Sequence, residues 1–340
     1  MNAVRTIPAN FTSRFNLSAD VGVIRYIKRT SFRKTSEPVI EEKSVHGAGP
    51  AAVLILRTSS QFCNRARCPQ IAEHRPVLLL YRLHMAEGWQ GWDEYAPFYD
   101  WENARTVARR DVRFWRQLAA RQEGQILELG CGTGRLSLPL LKDGARLVGI
   151  DRSEPMLGRA RIKAKRAGLL TRARFVRGDI RRLPFRNRPG FGLVMAPYGM
   201  LQSLTRERDL AATLASIARV LRRDGVLGID LVPDLPRWSE YDRRVTLSGR
   251  RGAATYLTLR ETVRQDRRRG LTMFDQEYVE RGRGQRRVHR FALTFRTLSV
   301  PQMRRRLEKA GLEVRAVLGD YQGGPWHPDA DVWIILASRA

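Results

Sequence analysis

Residues 125–129, Gln-Ile-Leu-Glu-Leu, form a short apolar run that passes straight into Gly130-Cys131-Gly132-Thr133-Gly134. A buried strand ending in alternate glycines constrains the fold more than any other feature of the chain. Without Cβ atoms the backbone can turn tightly and bring its N–H groups close to a ligand. The helix expected after the loop adds a partial positive charge at its N-terminus, which suits a carboxylate or phosphate. Alone the loop is a weak indication, because glycines after a strand are often mere turns.

Its surroundings sharpen it. A strand over 146–150 ends in Asp151, and Ser153 caps the next helix, with Pro155 in its first turn and Gly168 closing it. A strand over 173–177 ends at Gly178-Asp179, and 191–195 reads as a fourth. The following helix carries Leu210, Leu214, Ile217 and Leu221 as one buried stripe, ends at Gly225, and leads to a strand over 226–231. Alternation of this kind predicts a parallel sheet covered on both faces. Between 239 and 298 the period changes to two, and 255–265, 271–280 and 288–297 predict a three-stranded antiparallel meander. A helix over 300–310 and strands over 312–318 and 332–337 complete the pattern. Upstream, 92–100 is aromatic and acidic, and 102–122 reads as one amphipathic helix.

Carboxylates stand at two of the strand ends. Asp151 can accept both hydroxyls of a ribose, and Asp179 can take an amino group on an adenine edge; each could equally be a local cap. A nicotinamide dinucleotide site usually needs a third glycine one residue later in the loop, where this chain has Arg135. The stretches Ile126 to Gly134, Val148 to Asp151, Ser153, Met156-Leu157, Ala160-Arg161 and Gly178-Asp179-Ile180 together resemble class I S-adenosylmethionine-dependent methyltransferases.

The resemblance implies an α/β fold, a doubly wound seven-stranded Rossmann-like sheet with a small antiparallel β insertion, its last strand antiparallel beside strand five. It implies S-adenosyl-L-methionine as cofactor. Gly130, Gly132 and Thr133 would surround the methionine moiety, with Glu128 just ahead of them. Asp151 would hold the ribose, Asp179 and Ile180 the adenine, and Met156 would pack on the adenine face. The end of strand four, Ala196-Pro197-Tyr198-Gly199-Met200-Leu201-Gln202, is where such enzymes usually meet substrate, and Ala196 and Leu201 are counted with the cofactor positions. Enzymes that methylate base amines often carry Asn/Asp-Pro-Pro-aromatic here; Ala196 and Tyr198 depart from that and leave the acceptor undefined. The segment 92–100 is similar to the lid of many small-molecule methyltransferases, which nominates Tyr95 and Tyr99 for cofactor contact, with packing against the sheet as the alternative. The insertion stands where the glycine N-methyltransferase-like branch carries its substrate cover.

For catalysis the candidates are Tyr198 and His289. The latter shares a strand face with Phe291, Leu293 and Phe295, so it equally suits the border of a core. Arg260 could hold a substrate carboxylate or simply lie on a solvated face with Tyr256 and Thr258. Trp326 and His327 could line the mouth or pack a loop, and Cys131 reads as a small filler without a base beside it.

Composition excludes other classes. With 43% hydrophobic and 28% charged residues the chain is neither disordered throughout nor collagen-like. No apolar run approaches the ~18 residues of a membrane helix. The net charge of +28 invites a nucleic-acid partner, yet the cations are 55 Arg and 7 Lys, scattered as GC-rich codon usage would scatter them. Three cysteines suit a reducing cytoplasm. Residues 1–84 lack sustained periodicity and read as a disordered extension, or as translation begun upstream of a natural start at Met85; Cys63, Cys68 and His74 lack a fourth zinc ligand. The expected organisation is therefore this extension, a cofactor core with its lid over 85–238, the cover over 239–298, and completion of the sheet over 299–340. The expected function is methyl transfer to nitrogen or oxygen of a small molecule, without a membrane partner. The alternatives are RNA or DNA methylation and a non-catalytic cofactor-binding protein.

Overall fold

A computed structural model describes residues 91–340 except 107–109, 186–189, 233–239 and 283. The readings made for residues 1–84, including the possible strands at 51–56 and 77–80 and the Cys63, Cys68 and His74 trio, lie outside the described residues, as does Met85.

At the centre of the main sheet β1 (Gln125–Leu129) pairs in parallel with β2 (Leu147–Asp151) on one side and β4 (Phe191–Ala196) on the other. Beyond β2 lies β3 (Ala173–Arg177), and beyond β4 lies β5 (Leu221–Leu231). The chain closes the sheet with β10 (Leu312–Leu318) and β11 (Trp333–Arg339), the latter antiparallel between β5 and β10. The order is β10-β11-β5-β4-β1-β2-β3, so the seven-stranded, mostly parallel sheet read from the sequence is present. Strands β1 and β4 are buried almost throughout, because helices cover both faces. On one face Phe114, Trp115 and Leu118 of α2 (Val112–Ala120) and Leu140 and Leu141 of α3 (Ser137–Lys142) pack on the sheet. On the other, Leu210, Leu214 and Ile217 of α5 (Glu207–Val220) meet Met303 and Leu307 of α6 (Val300–Lys309). Between β2 and β3 runs α4 (Glu154–Arg166), capped by Ser153, whose hydroxyl accepts the Met156 N–H. A Cβ at Gly228 would lie 2.8 Å from the Trp115 ring, so a glycine there is what lets that indole reach the sheet.

Three expectations are corrected. The single helix over 102–122 is two, α1 (Trp92–Asn103) and α2. The apolar face of α1, with Tyr95, Phe98 and Trp101, packs on the insertion, whereas that of α2 packs on the main sheet. One straight helix cannot serve both. The insertion has four strands rather than three, β6 (Tyr241–Arg251), β7 (Thr255–Asp266), β8 (Leu271–Gly282) and β9 (Gln285–Arg296), in that order. Edge strand β6 is largely exposed and arginine-rich, so it carries little alternation, and its backbone pairing with β7 makes it a strand. Finally, β5 starts at Leu221, ahead of Gly225, with an irregular register before Val226. Among the described residues no helix is long and apolar enough to cross a membrane.

Candidate active site

At the carboxyl ends of β1, β2 and β4, beside the point where strand order reverses, a cavity of about 620 Å³ opens. This is where open α/β sheets place ligands, and the volume falls in the usual range for small-molecule sites. The loop after β1 turns through positive φ at Gly130 (61°), Gly132 (54°) and Gly134 (81°). A Cβ at Gly130 would stand 2.7 Å from Met200 Cγ, so the loop and the segment after β4 touch only because that position is glycine. The Gly132 N–H donates to Asp151 Oδ2 (2.8 Å) and the Ser153 N–H to Oδ1 (2.9 Å), tying the loop to the end of β2. Burial raises the Asp151 carboxyl despite these bonds.

Glu128, at the foot of the loop, accepts from the Ser137 hydroxyl, and burial pushes its carboxyl up to about 7. Arg135 reaches the cavity from just past the loop, and both its terminal nitrogens donate to Asp111, at 2.7 Å each. Its guanidinium lies 5.5 Å from the ring centroid of Tyr198. Asp179 receives the Arg181 Nη2 at 2.7 Å and the Arg181 backbone N–H at 2.9 Å. Burial opposes its ionisation, but the Arg181 hydrogen bonds prevail and hold the carboxyl below its usual range.

Of the residues singled out in the sequence, Tyr99, Glu128, Gly130, Gly132, Asp151, Met156, Asp179, Ile180 and Tyr198 line this cavity. Five do not. The Thr133 hydroxyl turns away to Asp100 Oδ1 (2.6 Å), on α1. Ala196 and Leu201 are fully buried in the core beneath the segment after β4, and Pro197, Tyr198 and Met200 form the wall instead. Tyr95 is buried among Phe98, Tyr278 and Phe291, with its hydroxyl on Glu102. Its ring stands 6.0 Å from that of Tyr99, so the two touch, but α1 turns only Tyr99 to the cavity. His289 sits on β9 with Nε2 3.3 Å from Glu280 Oε2 and its ring 4.8 Å from Phe98, and does not line the cavity. Arg260 pairs with Glu277 (3.6 Å) on the strand face, and Trp326 packs against Trp333.

Sequence reasoning missed Arg135 as a site residue, and with it Trp92, Met200 and Phe295 of the walls. Only the position of Arg135 directly behind the glycines signalled it. Both phenols facing the cavity are raised by desolvation, Tyr99 to about 12 and Tyr198 further.

A family model described as a methyltransferase domain matches residues 126–225. A demethylmenaquinone methyltransferase of Thermus thermophilus is 34% identical over 184 residues, covering 48% of this chain and 80% of that protein. The chain belongs to the class I S-adenosylmethionine-dependent methyltransferases. A cypemycin N-terminal methyltransferase of a Streptomyces species is 29% identical over 217 residues, 63% of this chain and 82% of that protein. An S-adenosylmethionine-dependent methyltransferase from Clostridium acetobutylicum shares the fold, with a TM-score of 0.61 at 17% identity over 72% of this chain and 99% of that one. Of two fungal sterol 24-C-methyltransferases and a methyltransferase of Bacillus subtilis, the chain spans between 33% and 49% of the length. For a class I methyltransferase the cavity fits the cofactor: a glycine cradle that side chains would fill, a carboxylate at the end of β2, and an apolar wall at Met156 and Ile180.

Proposed function

We propose that the protein transfers the methyl group of S-adenosyl-L-methionine to a nitrogen or oxygen of a small molecule. One observation carries the reading. The glycine cradle with Glu128, Asp151 and Asp179 shares a single cavity with a second wall of Trp92, Tyr99, Tyr198, Met200 and Phe295. Donor and acceptor can therefore be held side by side.

When bound, the cofactor supplies an activated methyl group and leaves as the neutral thioether. The chain's own part is orientation and exclusion of water. Arg135, the cation that reaches the cavity just past the loop, suits the methionine carboxylate, and Glu128 its ammonium. Asp151, whose carboxylate lines the cavity at the end of β2, suits the ribose hydroxyls. Asp179 shares its oxygens between Arg181 and the adenine amino group, with Met156 and Ile180 against the ring. On the acceptor side the phenols of Tyr99 and Tyr198, raised by desolvation, remain protonated near neutral pH. They orient an acceptor by hydrogen bonds and do not take its proton, so Tyr198 is an orienting group rather than a base. An amine in its neutral form meets this site with its lone pair ready, and the methylated ammonium it becomes gives up its extra proton to solvent. The likeness to a cypemycin N-terminal methyltransferase supports nitrogen.

The test is a labelled-methyl assay with panels of amines, phenols and nucleic acids, products identified by mass, alongside calorimetry with S-adenosylhomocysteine. Label in a small amine or phenol is the expected result. Label in RNA or DNA at low salt would favour the nucleic-acid alternative. Binding without transfer to any panel member would favour a non-catalytic protein, and absence of binding would overturn the reading altogether.

A further inference from the structure

Tyr198 stands in an unusual backbone state. It and Gly199 both have positive φ, 60° and 61°, and the Met200 N–H closes the turn onto the Pro197 carbonyl at 3.3 Å. Two consecutive left-handed residues make a mirror-image β-turn, which a tyrosine adopts only where its surroundings impose it. The imposing group is not in the cavity. Asp230, near the end of β5 and 1% exposed, accepts the Gly199 N–H on Oδ1 at 2.7 Å and the Tyr321 hydroxyl on Oδ2 at 2.9 Å. A second staple holds the same turn. Gln202 Oε1 accepts the Val232 N–H (2.8 Å), and a Cβ at Gly199 would lie 2.8 Å from that oxygen, so a side chain there would press on this bond as well as strain the positive φ.

We infer that Asp230 is a positioning residue of this site: through the Gly199 N–H it holds Tyr198 as the acceptor-side wall of the cavity, with the Tyr321 hydroxyl bonded to its other oxygen. The role of that wall rests on the methyl-transfer reading; the coupling of Asp230 to Tyr198 does not. Tyr198 closes the cavity with its ring over Arg135, which is itself fixed by Asp111. The charged groups bearing on Asp230 are Asp111, which disfavours its charge, and Arg135, which favours it; across the sheet β11 offers only Ile334. Burial is the largest influence, and it raises the carboxyl to about 7. The acceptor of the Gly199 N–H therefore changes between carboxylate and carboxylic acid near neutral pH, and the wall responds.

The test uses the full chain labelled with fluorotyrosine, the Tyr198 fluorine resonance being assigned by its loss in Tyr198→Phe. In the unmodified sequence this resonance should titrate with a midpoint near pH 7. In Asp230→Asn, where an amide can still accept from Gly199, it should stay close to its low-pH position at every pH. In Tyr321→Phe, which removes a hydrogen bond favouring the charged form, the midpoint should move up although Tyr321 does not line the cavity. A Tyr198 resonance that does not titrate, or that titrates alike in Asp230→Asn, overturns the inference. A chain that binds no S-adenosylhomocysteine overturns the methyl-transfer reading instead and leaves the fluorine result to decide the coupling.

Discussion

The Gly132 N–H points at Asp151 Oδ2 across 2.8 Å, so the glycine loop after β1 and the carboxylate ending β2 are one hydrogen-bonded unit. Asp151→Ala removes the proposed ribose partner and also releases the loop. At about 1.5–3 kcal/mol for each charge-assisted bond, less what water restores, affinity for S-adenosylmethionine should fall by about one to three orders of magnitude. The fold should survive, since the residue ends a strand. Calorimetry with far-ultraviolet dichroism checks both, and unchanged affinity would remove Asp151 from the ribose site.

Arg135 and Asp111 form a two-pronged pair with the carboxylate buried. Asp111→Leu should cost about 1–3 kcal/mol, because it leaves a mostly covered guanidinium at the cavity wall without its partner. Adding Arg135→Met should recover most of that stability, while cofactor affinity stays low. Urea unfolding of the two single variants and the double variant measures the coupling. Additive losses would show the pair to be energetically independent.

Helix α1 is anchored from beneath. Glu102 accepts the hydroxyls of Tyr95 and Tyr278, and Gln276 Nε2 lies 3.4 Å from its other oxygen. Amides from Tyr95 to Trp101 should exchange slowly even without cofactor. S-adenosylhomocysteine should slow further the first turn, whose Trp92, Asp93 and Glu94 line the cavity. Tyr95→Phe should lower stability by about 1.5–3 kcal/mol through the lost bond to a carboxylate, with little change in cofactor affinity. Fast exchange throughout 92–101 in the free protein would instead restore the mobile lid that the sequence suggested.

Glu128 and Asp230 are both raised by burial to about 7. Below about pH 4 both folded and unfolded chains hold these protons, and the groups add no pH dependence. Between about pH 4 and 7 the unfolded chain releases protons that the folded chain keeps, so stability falls as pH rises, by up to about 1.4 kcal/mol per unit for each group. Glu207, held down to about 2 first by Arg306 and then by Arg296, works in the opposite direction but only below about pH 4.5. Urea midpoints from pH 4.5 to 8 should therefore decline toward 7, and the decline should flatten in a Glu128→Gln, Asp230→Asn double variant. An equal slope in that variant would show the carboxyls to be ionised in the fold.

What could be read from the sequence was what neighbours in the chain decide. The loop 130–134, the strand ends at Asp151 and Asp179, the Ser153 cap and the Leu210, Leu214 and Ile217 stripe each depend on backbone freedom or periodicity within a few residues. The strand order with β11 inserted was legible only through family resemblance. Tertiary packing decided which side chain of each element faces the cavity. Tyr95 and Tyr99 are four residues apart on one helix, yet the β8 residues Tyr278 and Gln276 converge with Tyr95 on Glu102 and leave Tyr99 to the site. Ala196 and Leu201 pack in the core, while Pro197, Tyr198 and Met200 between them line the cavity. Arg135 gained its role from Asp111, in the break of a helix read as continuous. Local conformation is set by contiguous residues, whereas the direction of a side chain is set by partners brought near only when the chain has folded.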